Sequence, residues 1–364
     1  MPPNGQTHYT FSHVLSIDPL IIFGLGNLGP LSPALQLSEG LKDLPTYYIL
    51  GPSWDLDDPA EFYATVERYY EHKGAYPNHC IAYMVNVPHH AENLQKMGVP
   101  AFFCHHNALI DERIYKPIPM EKRYDAIYNG RIDPFKRHYL AREIKSLALI
   151  YYTMTGEDHR AYTEKIFKDL AHATFVNNET GSYRFLMHDD ICRQLNAAHV
   201  GLVLSEQEGG NHASVEYLLS GIPVVSTKNS GGRDHFLLPE FSRTVDPDPI
   251  QIRDAVEELK EMRIPAQTIR RKTLMLCLHH RKVLQETIQL ILDHEGAQRN
   301  FADEWDTVFV NKLFNWGIPH WQVVDYVRKW RGKTDKVIEP LRRDRALELE
   351  YERAAKEREV GLAS

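Results

Sequence analysis

Short apolar runs alternate along the chain with stretches whose apolar residues recur every three or four positions, the pattern of a parallel sheet whose crossover connections are helices. In the first third, Leu20 to Phe23, Thr46 to Leu50, Ile81 to Val85 and Ala101 to Cys104 read as strands. Leu31 to Leu44, Ala60 to Lys73 and Ala91 to Met97 carry the helical period between them, and Gly98 reads as a helix stop. Four strands make a small domain. After the Pro-punctuated stretch Tyr115 to Met120 the alternation restarts with strand Tyr124 to Asn129, a helix over His138 to Met154, another around Tyr162 to Leu170, and strand Ala173 to Val176. It continues through helix Asp189 to Ala198, strand Val200 to Leu204, helix His212 to Ser220 and strand Ile222 to Thr227, and ends in helices Ile250 to Met262 and Ile264 to His294. The expected organisation is a short first α/β domain over 1–120 and a second over 121–295. The tail 331–364 is charged and helix-prone, with apolar residues too sparse for a strong stripe; it reads as a solvated helix or an oligomer contact.

Length and composition agree with this picture. A chain of 364 residues exceeds what one core usually serves. The formal charge of −7 gives no global drive towards a polyanion, which demotes nucleic acid as a partner. Cys80, Cys104, Cys192 and Cys277 stand far apart without a CxxC pair, which suits neither a zinc ribbon nor a disulfide framework and points to a reducing, cytoplasmic setting. No stretch approaches the ~20 apolar residues of a membrane span, so the expected location is cytoplasmic or peripheral to a membrane.

The chemistry concentrates between Ser205 and Thr227, read as strand, glycine loop, short helix, Gly221 as helix stop, then strand. Backbone amides from Gly210 to Ala213, at the positive end of the helix, suit a phosphate, and the glycines let a ligand approach closely. Glu208 and Glu216 flank that turn. Carboxylates repel phosphates, so these two suit hydroxyl-rich groups on either side of one. Upstream, strand Tyr124 to Asn129 runs into Gly130, Arg131 and, five residues after the Arg, Lys136. A guanidinium and an ammonium at a strand's mouth suit a diphosphate. In a parallel sheet both loops lie on one edge, where cations and helix amides can converge on one anion.

At these residues the chain resembles the retaining glycosyltransferases of family 4, whose pattern is strand, Gly-Arg, a Lys five residues on, then strand, Glu, seven residues, Glu, and a small-residue helix ending in Gly-hydrophobic-Pro-Val-Val. The resemblance covers about 121–295 and is weak before that; Ala108 stands where the hinge-side turn of the family usually has Gly. It implies the α/β GT-B fold, two Rossmann-like domains with parallel sheets facing across a cleft, and residues 296–330 crossing back to the first domain. By the same resemblance Arg131, Lys136 and Glu208 are the catalytic set: the two cations on the diphosphate leaving group, Glu208 on the donor sugar. Glu216 would hold the ribose hydroxyls, and Gly130, Gly209, Gly210, Asn211 and His212 would line the donor. The implied partners are a nucleotide sugar, with UDP favoured and GDP next, and an acceptor that is a glycan, lipid or small molecule. No cofactor or essential metal is implied.

Gly24-Leu-Gly26-Asn-Leu-Gly29 after an apolar strand fits GxGxxG and opens the rival reading of a dinucleotide-dependent oxidoreductase. The second strand, however, ends in Leu50-Gly51-Pro52 without the acidic residue that fingerprint needs. The same glycines either bring the first loop, through Gly26, to the donor diphosphate or simply make a tight strand-to-helix turn. Asp55-Leu-Asp57 matches the metal-binding DxD of another transferase class trivially and reads as a helix-start loop. The adjacent histidines His89-His90, His105-His106 and His279-His280 are metal-ligand types, but adjacent residues on a strand point to opposite faces and rarely share one ion. The family resemblance also implies a histidine of the first domain near the donor sugar, for which His89 and His106, each following a strand, are the candidates. A binding subunit that keeps the donor pocket without turnover is the second functional reading.

Overall fold

The computed structural model describes residues 11–26, 29–52, 55–153, 157–179, 181–309 and 318–337. These form two compact units, the first from residues 11–109 with 278–337 and the second from 110–277.

The first unit opens with β1 (Phe11–Ser16), antiparallel to β2 (Leu20–Gly26), and continues with β3 (Thr46–Pro52), β4 (His79–Val85) and β5 (Ala101–Phe103), all parallel to β2. The parallel strands follow one another in sequence order. Right-handed crossovers that always step the same way put every connecting helix on one face. Accordingly α1 (Ala34–Leu41), α2 (Pro59–Ala75) and α3 (Pro88–Lys96) pack Leu37, Val66, Tyr69 and Leu94 onto Leu20, Ile22, Tyr48 and Ile81. The alternate residues Ile21, Phe23, Ile49 and Met84 make the core of the other face, as the period of two requires. Asp58 caps α2, accepting from the Ala60 amide at 2.9 Å.

The second unit comprises β6 (Tyr124–Asn129), β7 (Leu147–Ile150), α4 (Glu157–Asp169), β8 (Thr174–Phe175), α5 (His188–Asn196), β9 (Ala198–Val203), α6 (His212–Leu219), β10 (Val224–Thr227), β11 (Ser242–Val245) and α7 (Pro249–Glu261). Its strands are parallel throughout, in the order β11-β10-β9-β6-β7-β8. That order reverses direction between β6 and β9, the doubly wound arrangement, in which ligands bind beyond the carboxyl ends of the two strands at the reversal. Gly201 in β9 lets the Tyr217 ring lie on the strand: a Cβ there would stand 2.4 Å from that ring. Gly221, at φ +77°, ends α6.

The chain returns to the first unit through α8 (Ala266–His294), followed by α9 (Phe301–Val308), β12 (Ile318–Pro319) and α10 (His320–Trp330). Leu284, Ile288 and Leu292 of α8 and Phe301 and Trp305 of α9 cover the second face of the first sheet. β12 adds to β1 antiparallel, so this sheet has six strands rather than four.

Several expectations differ from what is found. The helix over His138 to Met154 is instead a short 3-10 turn, His138–Ala141, followed by β7. Leu147–Ile150 is buried on both faces of the sheet, and a short apolar run buried all round carries no periodicity that separates strand from helix. The first unit's leading segment stops at Leu109 rather than 120, and the return begins at Leu278, inside α8. Hydrogen bonds account for both points. Arg281 Nε donates to Ala108 O at 2.7 Å and Cys104 Sγ to His280 O at 3.2 Å in the first unit, whereas Arg270 donates to Glu112 O and Tyr115 O at 2.7 and 2.6 Å in the second. Of the tail 331–364, residues 338–364 lie outside the described residues.

Candidate functional site

The site grows from the two loops that leave β6 and β9 at the reversal of strand order. After β6, the Asn129 amide donates to Tyr217 Oη at 2.6 Å and the Gly130 amide to Ile150 O at 3.0 Å, which fixes the start of the first loop. The loop then turns through a short 3-10 segment, Pro134–Lys136, whose end is pinned by the Tyr128 hydroxyl donating to Lys136 O. Arg131 and Lys136 both stand over the Phe135 ring, at 5.5 and 5.1 Å from its centroid. The guanidinium of Arg131 also pairs with Asp133 at 3.0 Å.

After β9, the loop Ser205–Asn211 is tied to its neighbours: the Glu206 amide donates to Phe135 O at 2.9 Å, and Asn229 Nδ2 to Glu208 O at 3.3 Å. Glu208 is the centre of this loop. One carboxylate oxygen is ion-paired with Lys136 Nζ; the other accepts from the Ser205 hydroxyl and, at 2.7 Å, from Asn211 Nδ2. The two charged side chains are only 11 and 13% exposed, so water does little to screen the pair. Asn211 is also the N-cap of α6, its Oδ1 accepting from the Ser214 amide at 3.2 Å.

Burial tunes the two glutamates in opposite directions. Burial alone would raise Glu208, but the Lys136 charge and hydrogen bonds from Lys136, Ser205 and Asn211 outweigh it and hold this carboxyl below its usual range. For Glu216 burial wins, against hydrogen bonds from Tyr115 and Asn129, and the carboxyl is pushed up to about 7. Asn129 Nδ2 donates to Glu216 Oε2 at 3.0 Å. Burial also lowers His212 to about 4, which leaves a neutral imidazole beside Glu208 at physiological pH.

Nine of the ten residues singled out from the sequence lie in the second unit, on the β6 loop, the β9 loop and α6: Gly130, Arg131, Lys136, Glu208, Gly209, Gly210, Asn211, His212 and Glu216. Gly26 belongs to the first unit, at the end of β2 opposite Pro52, and its neighbours Asn27 and Leu28 lie outside the described residues. Lys136 and Glu208, assigned to different parts of a ligand, are bonded to each other. His106 sits buried in the 3-10 turn His106–Leu109, its amide donating to Asn86 Oδ1 at 3.1 Å.

Two arginines that sequence reasoning passed over tie the β9 loop to the end of β10. Arg233 is fully buried; it donates to Ser205 O at 2.7 Å, Ser205 Oγ at 2.8 Å, Ser226 Oγ at 2.8 Å and Thr227 O, and pairs with Asp234 at 2.9 Å. Arg137, at φ +53°, donates to Leu204 O at 2.8 Å, Ser205 O at 3.1 Å and Thr227 Oγ1 at 2.8 Å. Together they lock the ends of β9 and β10, and through Ser205 they orient Glu208. Arg233 follows a glycine pair, and that is its only sequence signal; Arg137 is hidden beside Lys136.

No protein-family model matches the sequence, and neither does any curated protein. Solved structures do match. Sucrose-phosphate synthase from Thermosynechococcus elongatus aligns at TM-score 0.53 with 16% identity, over 75% of this chain and 74% of that one. Anabaena HepE in complex with UDP aligns at 0.52 with 13% identity, over 70% and 74%. TarM aligns at 0.53 with 14% identity, over 74% and 54%. HepE has also been solved with UDP-glucose and with UDP and glucose. These neighbours are glycosyltransferases of the GT-B type, and the two α/β units with parallel-dominated sheets match their fold. Among the described residues no helix is long and apolar enough to cross a membrane.

Proposed function

We propose that the chain is a retaining glycosyltransferase of the family 4 type, moving a hexose from a nucleoside diphosphate sugar, UDP-linked before GDP-linked, to a hydroxyl of a glycan, lipid or small molecule. The observation that carries this reading is the Lys136–Glu208 pair, held by Ser205 and Asn211 at the reversal point of a doubly wound sheet. A cation and an anion set side by side at a helix start suit a ligand that is itself divided into an anionic part and a hydroxylated part.

Transfer breaks the bond between the anomeric carbon and a diphosphate whose charge grows as it leaves. Lys136, Arg131 and the first amides of α6 would stabilise that charge, a role in which one preorganised donor contributes about 3 kcal/mol. Glu208, ionised, would accept from hydroxyls of the sugar. Glu216, with its raised pKa, would meet the ribose hydroxyls, and the glycines would allow close approach. The positive charge at the leaving group comes from these side chains, so no essential metal is assigned to the step. The expected setting is cytoplasmic or at a membrane surface.

A panel of UDP-, GDP- and ADP-sugars tests this, first by thermal shift and then by turnover with EDTA present. One donor class should stabilise the protein and be consumed, and NMR of the product should show the donor's anomeric configuration kept. Inversion, or turnover only with added metal, would contradict the mechanism. Stabilisation without turnover against any acceptor would replace it with the binding-subunit reading.

A further inference from the structure

Asp57, His89 and His90 gather three metal-binding atoms at one place in the first unit. Among the described residues this is the one group of three or more such side chains whose ligand atoms all lie within 4.8 Å of one another. His89 Nε2 lies 2.6 Å and His90 Nε2 3.0 Å from the same oxygen, Asp57 Oδ1. The sequence pattern left the pair between strand Ile81 to Val85 and helix Ala91 to Met97, and strand geometry alone argued against a shared ion. The structure places both in the first turn of α3, where adjacent residues are about 100° apart rather than 180°, so both reach one point off the helix end.

The fold builds this arrangement. Asp57 follows β3 and the histidines follow β4, and these parallel neighbours bring their loops to the same edge of the sheet. Buried Asp55 accepts from the Asp57 amide at 2.9 Å and stands 3.7 Å from His90 Nε2. His90 is itself buried, while His89 and Asp57 are 50 and 42% exposed. One side of the group is therefore fixed by the core and the other opens to solvent.

Two imidazole nitrogens and a carboxylate oxygen that converge so closely need positive charge between them, supplied either by ring protons or by one cation. We propose that Asp57, His89 and His90 form a site for one divalent transition-metal ion of the Zn2+ class, with at least one position left for water or an oxygen ligand. The donor set decides the class: imidazole suits Zn2+, Co2+ and Ni2+, whereas Mg2+ and Ca2+ take oxygen ligands. Metal–ligand lengths of about 2.0–2.2 Å in a tetrahedral site imply ligand separations of roughly 3.3 Å. The 2.6 and 3.0 Å contacts open to that by turning the two exposed side chains. The three ligands belong to the first unit and the Lys136–Glu208 clamp to the second, and the proposal does not depend on the reading of that clamp.

The test uses the full chain, without a polyhistidine tag, stripped with chelator and titrated calorimetrically with ZnCl2 at pH 7.5. One saturable site is expected, and Co2+ should give the intense visible bands of a four-coordinate ion. D57N and H89A change exposed side chains and should keep the wild-type melting temperature in EDTA while weakening Zn2+ binding about 100-fold or more. MgCl2 should give no heat. No saturable Zn2+ site in the wild type, or equal binding in D57N and H89A, would overturn the proposal.

Discussion

Asn211 Nδ2 donates to Glu208 Oε2 at 2.7 Å while its Oδ1 accepts from the Ser214 amide at 3.2 Å. One carboxamide thus caps α6 and orients the carboxylate at the centre of the site. The two roles separate by substitution. Asn211→Asp keeps the cap but sets a second carboxylate against the shielded Glu208, so melting temperature should fall through that repulsion alone and turnover at least tenfold. Asn211→Ala loses the cap as well and should also cost about 1 kcal/mol of stability in urea unfolding.

The Lys136–Glu208 pair is largely shielded from water, and removing one member strands the other. Lys136→Met should cost about 3–5 kcal/mol, and Glu208→Gln less because its amide keeps the hydrogen bonds from Ser205 and Asn211. The double variant should be more stable than Lys136→Met alone, since the stranded charge is gone. A double-mutant cycle by urea denaturation measures this. In turnover, each single variant should lose roughly 100- to 1,000-fold.

Glu216 makes stability depend on pH with a defined sign. Its folded-state pKa, about 7, lies above the ordinary value of 4.5. Between those values the native state holds a proton that the unfolded state has released, so this contribution is complete below pH 4.5 and is lost as pH rises through 7. Relative to Glu216→Gln, the wild type should therefore lose melting temperature between pH 5 and 8. Glu208 is shifted the other way, and its contribution is lost only as pH falls below the ordinary carboxylate range. Thermal unfolding of both proteins across pH 4–8 checks the assignment.

Gly201→Ala should be destabilising in proportion to overpacking. The new Cβ meets the Tyr217 ring at 2.4 Å, and Tyr217 Oη is the acceptor that fixes the Asn129 amide at the start of the β6 loop. A loss of about 1–3 kcal/mol is expected, with weaker donor binding alongside it. Calorimetric unfolding and nucleotide titration of the same sample measure both.

Much of this organisation was legible in the sequence for physical reasons. The strands Leu20–Gly26, Thr46–Pro52 and Tyr124–Asn129 are apolar runs between clear helical periods, and Gly98 and Gly221 sit at positive φ where helices stop. β7 was misread because Leu147–Ile150 is apolar on both faces, and β11 was passed over because Ser242–Val245 is a four-residue edge strand with a single apolar residue. The glycine loop and its flanking charges announced the site, yet not that Lys136 and Glu208 bond each other, since that contact spans residues far apart in sequence. Arg137 and Arg233 were invisible for a related reason: nothing local tells a buried arginine that ties two strand ends from one in solvent. The His89-His90 pair was judged on the wrong element, and helix or strand changes which directions its rings can take.

The central claim is that the β6 and β9 loops clamp a nucleoside diphosphate without a metal. Calorimetric titration of UDP and GDP, in EDTA, into the wild type and into Lys136→Ala, each confirmed folded by its thermal transition, tests it most directly. One site per chain is expected for one of the two nucleotides, weakened roughly tenfold to hundredfold when the ammonium is removed. No saturable binding of either nucleotide, or equal affinity in Lys136→Ala, would contradict it.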